Sequence, residues 1–221
     1  DAAASAVTNP ESPIPSSPIP ESRRMNYLAH LLLASHSEDA MVGAFLGDFV
    51  KGSDATAFAE PIAREIAVHR RVDAFTDAHH IVREARQCFD PSRRRFSGIA
   101  LDVFYDHVLA SQWQHYHDEP LHGFSTRCYR VLQSRAQELP ERARLTASRM
   151  SRHDWLGAYA GFDGVEGALA GIGRRLSRNG ELLAACADDL REHHESLAEG
   201  FHVLFPELRR MTEQARRLSA T

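Results

Sequence analysis

Lysine is almost absent from this chain: Lys51 stands alone among 26 basic residues, and the rest are arginine. Arginine suits planar, two-point contacts to carboxylate and phosphate, although codon bias produces the same skew. Cysteine is scarce and odd in number. Cys88, Cys128 and Cys186 lie far apart, with neither zinc-ligand nor redox spacing, which fits reduced thiols in a cytoplasmic protein. No apolar run reaches the length of a membrane span. No basic stretch is followed by the long apolar stretch of a secretory signal. A net charge of -4 over 221 residues gives no signature of nucleic-acid or membrane binding. Neither period-two alternation nor an internal repeat is found, so strands are not expected. Several catalytic motifs are also missing. There is no GxSxG elbow and no phosphate-binding P-loop, and the glycines between Gly157 and Gly173 lack the strand context of a dinucleotide site.

What remains is helical. Residues 1–24, where Pro10, Pro13, Pro15, Pro18 and Pro20 alternate with serine and glutamate, read as a disordered tail, and Met25 suits a natural start. Residues 25–221 read as a single domain, 43% hydrophobic content over the whole chain being ordinary for a globular core. Apolar periodicity places helices over 26–35, from Ser37 to a stop at Lys51-Gly52, over 60–89, 96–115, 121–139 and 143–150, from His153 onward, and over 182–218 with a break near Pro206. The expected fold is all-α, a compact bundle of six to nine helices.

The chemistry sits on apolar faces. In His69-Arg70-Arg71-Val72-Asp73-Ala74-Phe75-Thr76-Asp77, His69, Asp73 and Asp77 recur every fourth residue and form one stripe flanked by Val68, Val72 and Phe75. Asp48 interrupts Phe45-Leu46-Gly47-Asp48-Phe49-Val50, His30 interrupts a leucine-rich helix, and Asp106-His107 lies in another apolar helix. Such groups are costly to bury unless something pairs with them, and a divalent cation held between four helices would do so. Surface His/Asp/Arg pairs are the plainer alternative. Imidazole and carboxylate donors without thiolate suit manganese, magnesium or iron, with zinc also admissible, and point to phosphate-ester hydrolysis. Lys51, Arg70 and Arg71 are then candidates to hold the phosphate. Arg93, Arg94 and Arg95 form a short basic cluster able to meet phosphate or an acidic protein.

Four ordered motifs carry a resemblance: Asn26-Tyr27-Leu28-Ala29-His30-Leu31, Gly47-Asp48-Phe49-Val50-Lys51-Gly52, the nonapeptide from His69 to Asp77, and Leu101-Asp102-Val103-Phe104-Tyr105-Asp106-His107. From Met25 to about Pro206 the chain resembles the acyl carrier protein phosphodiesterases, atypical relatives of the HD-domain phosphohydrolases. The resemblance implies an HD-like helical bundle and a manganese-dependent hydrolase of lipid metabolism. It would release 4′-phosphopantetheine from acidic holo-acyl carrier protein to leave the apo form. It also implies a metal set of Asp48, His69, Asp106 and His107, with Asp73 a fifth member. Asp77 or His30 would assist proton transfer, and Arg93 to Arg95 would meet the carrier's carboxylates. The order of these residues differs from the usual histidine, His-Asp, aspartate order of HD proteins. Two other readings stay open: a metal phosphohydrolase acting on a nucleotide or another small phosphate ester, and a helical binding protein without activity.

Overall fold

Helix α5, Ser97–Ser111, is apolar on all sides, and 13 of its 15 residues are buried. A helix of that kind must lie inside a bundle rather than on its surface. In the computed structural model, which describes residues 26–176 and 178–218, α5 packs against α1 (Tyr27–Leu33), α9 (Phe162–Gly173), α10 (Gly180–Glu192) and α11 (His194–Leu218). The tail expected over residues 1–24 lies outside the described residues. All described regular structure is helical, as the periodicity requires, with no strand among the described residues. Among the described residues no helix is long and apolar enough to cross a membrane. Cys88, Cys128 and Cys186 are free.

The chain opens with α1 and α2 (Glu38–Leu46), whose N-cap Ser37 accepts a hydrogen bond from the Ala40 amide through Oγ at 3.1 Å. Next comes α3, Glu60–Ala78, with Pro61 in its first turn. The helix expected over 60–89 is divided: His79 takes an extended backbone, φ −68° and ψ 136°, and α4 restarts over His80–Ala85. The segment expected over 182–218 is likewise divided, but at His193 rather than near Pro206. Pro206 sits inside α11 on its exposed side, as does His202 four residues before it, so water reaches the carbonyl that loses its donor. Buried Leu197, Phe201, Leu204, Phe205 and Leu208 hold the helix continuous across that point. Between α5 and α9 lie α6 (Leu121–Ser134), α7 (Glu141–Arg152) and the short α8 (Trp155–Ala158). One turn of helix has little stability of its own. Helix α8 is anchored by Tyr129 of α6, whose hydroxyl accepts from the Leu156 amide at 2.8 Å and donates to Asp154 Oδ1 at 3.0 Å.

Two features fix the frame around α1 and α3. Glu65 is 2% exposed and receives both arms of Arg216 from α11, at 2.8 and 2.9 Å, while Arg216 also donates to the Leu33 carbonyl at the end of α1. A buried carboxylate so satisfied ties three helices together. The second feature is the close approach of α2 to α3. A Cβ on Gly43 would lie 2.5 Å from the Ile62 carbonyl oxygen and 2.7 Å from Glu65 Cβ, so the backbones meet there only because no side chain intervenes.

Candidate metal centre

That close approach continues one turn further, at Gly47, where a Cβ would stand 2.2 Å from both Cγ and Cδ2 of His69. The His69 ring therefore lies directly on the backbone where α2 ends. Asp48, the next residue, brings its Oδ1 to 3.7 Å from His69 Nε2. One helical turn along α3, Asp73 directs Oδ2 to 3.5 Å from the same nitrogen. Its other oxygen, Oδ1, lies 3.2 Å from Nε2 of His30, which comes from α1. The two imidazoles stack, with ring centres 3.8 Å apart and planes inclined by 22°. Donor atoms of His30, His69 and Asp73 all lie within 4.8 Å of one another. Both histidines are buried, whereas Asp73 is 20% exposed, so the cluster reaches solvent on the Asp73 side.

The electrostatics follow from these contacts. Burial pushes the Asp73 carboxyl up, but hydrogen bonds and charge from His30 and His69 outweigh it and hold the group well below the usual carboxylate range. For His69, burial acts downward, and the bond to Asp73 with the charges of Asp48 and Asp73 reverses it, so the imidazole is raised overall. His69 Nδ1 makes no formed hydrogen bond, although the Ala44 carbonyl also bears on the ring. Two Nε2 atoms converging on one carboxylate, with a second carboxylate beside them, form a donor set of mixed nitrogen and oxygen. That composition fits a divalent first-row ion.

The other residues singled out from the sequence are placed elsewhere. Asp106 is fully buried and does not join the group. Its Oδ2 accepts from the Leu28 amide at 2.8 Å and its Oδ1 from the Ala29 amide at 2.9 Å. It thus caps the first turn of α1 from α5, where Asn26 at the N-cap makes no side-chain cap bond. Burial pushes the carboxyl up to about 8, and the two amide donors pull the other way. His107 turns to another part of the fold: its Nδ1 lies 2.8 Å from the Tyr159 carbonyl, its Nε2 3.3 Å from His194 Nε2, and its ring edge meets Phe162. Asp77 accepts from Arg86 at 2.6 Å.

The cations divide in the same way. Arg70 donates to the carbonyls of Val50, at 2.8 Å, and Gly52, at 3.3 Å, and so clamps the turn that follows Asp48. Gly52 holds that turn at φ 43°, a left-handed conformation that side chains rarely adopt. Arg93 pairs with buried Asp189 through two nitrogens, and Arg94 donates to the Phe89 and Gln87 carbonyls. These two arginines hold the 89–94 loop in place, whereas Arg95 lies over the Phe96 ring on an exposed side chain. Lys51 and Arg71 are exposed.

Sequence reasoning missed Tyr27 and its surroundings. The Tyr27 hydroxyl is raised well above its ordinary value, by burial first and then by Asp48 and Tyr159, while Arg175 and Arg142 act in the opposite sense. It stays protonated at neutral pH and remains a donor beside Asp48. The tyrosine lies three residues before His30 in a motif already singled out, but nothing in its spacing announces two arginines from α7 and the end of α9.

Fold and site together define a helical protein whose buried histidine–aspartate cluster has metal-ligand composition. Residues 25–208 match the family described as acyl carrier protein phosphodiesterase. A Salmonella agona protein of that name is 35% identical over 197 residues, which cover 87% of this chain and 98% of the relative. An Escherichia coli protein of the same name is 34% identical over the same shares. One from Serratia proteamaculans is 35% identical over 83% of this chain and 95% of its own. No solved structure matches. The chain belongs to the acyl carrier protein phosphodiesterase family.

Proposed function

We propose that this protein hydrolyses the phosphodiester that joins 4′-phosphopantetheine to the carrier serine of holo-acyl carrier protein. We further propose that His30, His69, Asp73 and Asp48 hold the divalent cation that the reaction uses, manganese first among the candidates. Family membership and the names of the relatives support the substrate. The convergence of two buried imidazoles on Asp73 carries the cation assignment. When bound, such an ion supplies Lewis-acid stabilisation of phosphoryl charge and lowers the pKa of water in the site.

In the overall reaction, a water oxygen becomes bonded to phosphorus and the bond from phosphorus to the serine oxygen breaks. The serine leaves with a proton, and the phosphate stays with pantetheine. The residues prepare this in distinct ways. His30 and His69 present Nε2, and Asp73 spans both rings. Asp106 holds the first turn of α1 and thereby the position of His30. Tyr27 keeps its proton and offers a hydrogen bond beside Asp48, while Arg142 and Arg175 place positive charge on the same side. Exposed Lys51, Arg71 and Arg95 are left to meet an acidic carrier protein. We read the fold as an atypical HD relative acting in the cytoplasm, in the turnover of carrier proteins of fatty-acid synthesis.

The test is mass spectrometry of holo-acyl carrier protein incubated with the enzyme and manganese, alongside metal analysis of the purified protein. Loss of the phosphopantetheine mass and near-stoichiometric metal are expected. His69→Ala and Asp73→Asn should lose both while keeping a cooperative melt. Full activity in a metal-stripped enzyme, or full metal content in His69→Ala, would remove the cation assignment. Cleavage of nucleotides or aryl phosphodiesters with holo-carrier left intact would remove the substrate.

A further inference from the structure

Helix α9 is rich in a residue that helices avoid. Gly164, Gly167, Gly171 and Gly173 all lie within its twelve residues, and each costs on the order of 1 kcal/mol against alanine in a helix interior. Two of them answer to close backbone contact. A Cβ on Gly164 would stand 2.0 Å from the Ala158 carbonyl oxygen, and one on Gly173 would stand 2.5 Å from that of Gly180. No such reason covers the other two. A Cβ on Gly167 would meet nothing within 4 Å, and one on Gly171 would meet only the Arg174 guanidinium, at 3.7 Å. These two are four residues apart and share one face of the helix. That face borders a cavity of about 380 Å³, which Trp155 and Tyr159 also line, with Arg174 and Arg175 at the C-terminal end of α9. Side chains at either glycine would narrow the cavity rather than collide with the fold.

From this trough, and resting on the activity proposed above, we infer that the cavity between α8 and α9 is the berth of the phosphopantetheine arm. The glycine floor takes the neutral diamide chain and the Arg175 end faces its phosphate. The volume falls within the range of roughly 300–1,000 Å³ usual for small-molecule sites. A floor without side chains admits an extended chain close to the backbone, and the aromatic wall covers its apolar carbons. The wall is preformed: Tyr129 anchors Asp154 and Leu156 on either side of Trp155, and buried Tyr159 follows the same short helix. Orientation comes from charge. Arg174 and Arg175 stand exposed at the C-terminal end of the trough. The trough adjoins α1 through Tyr159, whose carbonyl lies 2.8 Å from Nδ1 of His107, the neighbour of the Asp106 that holds the first turn of α1. The phosphate lies at that cationic end, and the diamide and thiol run along the glycines.

The ligand for the test is pantetheine, which carries the chain without the phosphodiester, and the readout is indole fluorescence. The chain holds two tryptophans, and the other, Trp113, is buried in the core with its Nε1 donating to the Glu119 carbonyl. In a Trp113→Phe background, titration with pantetheine should change Trp155 emission saturably. Gly167→Leu and Gly171→Leu should abolish that response, and should raise KM for holo-carrier protein at least tenfold with kcat changed less than threefold. Thermal melts should match or exceed the parent and bound metal should match it, and Gly167→Ala, a milder filling, should give a smaller shift in KM if either leucine variant melts early. Arg175→Ala should weaken 4′-phosphopantetheine binding at least fivefold while leaving pantetheine affinity within twofold. Cleavage of holo-carrier by the parent, with unchanged KM in both leucine variants, overturns the berth and leaves the activity standing. A parent inert toward holo-carrier whose Trp155 still responds to pantetheine supports the berth and removes the activity. Absence of both overturns both.

Discussion

Gly47→Ala is the sharpest probe of the proposed metal centre, because one methyl group tests the contact that positions His69. Gly47 has φ −51° and ψ −35°, so alanine is conformationally acceptable there and even favoured by helix propensity. The objection is purely steric. The new Cβ would lie 2.2 Å from His69 Cγ and Cδ2, against about 3.5–4.0 Å for unstrained carbon contacts, so ring and backbone must separate by roughly 1.3–1.8 Å. The ring has little room to yield, since it is buried and already stacks on His30 at 3.8 Å. Overpacking of this kind costs about 1–3 kcal/mol, and a displacement near 1 Å at a reacting site costs on the order of 100-fold in rate. The variant should therefore melt several degrees lower, bind manganese at least tenfold more weakly by calorimetry and lose most of its activity toward holo-carrier protein. Gly167→Ala is the control for stability: open space surrounds its Cβ, and it should gain about 0.5–1 kcal/mol by chemical denaturation. A Gly47→Ala protein with parental manganese affinity and parental turnover would refute the claim that Gly47 seats His69.

The remaining predictions concern groups near the site that serve the fold. The Asp106 carboxyl is raised by burial to about 8, so the folded state holds a proton that the unfolded state releases near pH 4. Its contribution to stability is present below that pH and is lost as pH rises through 8. Urea midpoints measured from pH 5 to 8 should fall less steeply in Asp106→Asn than in the parent, and parallel slopes would contradict the shift. Arg93→Ala should destabilise by about 3–5 kcal/mol, because Asp189 would be left buried with its main partner gone. Arg95→Ala should leave the melt unchanged and flatten the salt dependence of KM for the carrier. Raising salt from 50 to 300 mM should increase the parent's KM more than it lowers kcat, through screening of exposed Lys51, Arg71 and Arg95. A KM indifferent to salt would argue against charge-guided docking.

Part of this site is readable from the chain and part is not, and the division has a physical cause. An acid or a histidine on an apolar face announces that something must pair with it, but not what the partner is. Asp48, His69, Asp73 and His30 carry that signal, and the fold brings the four together. Asp106 carries the same signal, yet both its oxygens meet amides of a helix that begins 79 residues earlier, a partner no local pattern specifies. His107 is one residue away and faces a different helix altogether. Arginines are harder still. Arg70, Arg93 and Arg94 have the composition of a phosphate or protein contact, but their donors close a turn and a loop of the same chain.

The helix boundaries show the same limit. Periodicity marks buried faces well, so α5 and the apolar side of α11 are legible. The breaks at His79 and His193 carry neither glycine nor proline at the break itself, whereas Pro206 carries the breaker and does not break. What decides is whether tertiary packing outweighs the local preference. The buried leucines and phenylalanines on both sides of Pro206 do so, at a position whose unpaired carbonyl faces water. Gly43 and Gly47 are the most instructive case. In sequence they look like weak points in a helix, and in the fold they are where two helices meet closely enough for an aspartate after one to stand beside a histidine of the other. The histidine–aspartate cluster therefore depends on two missing side chains as much as on the four that are present.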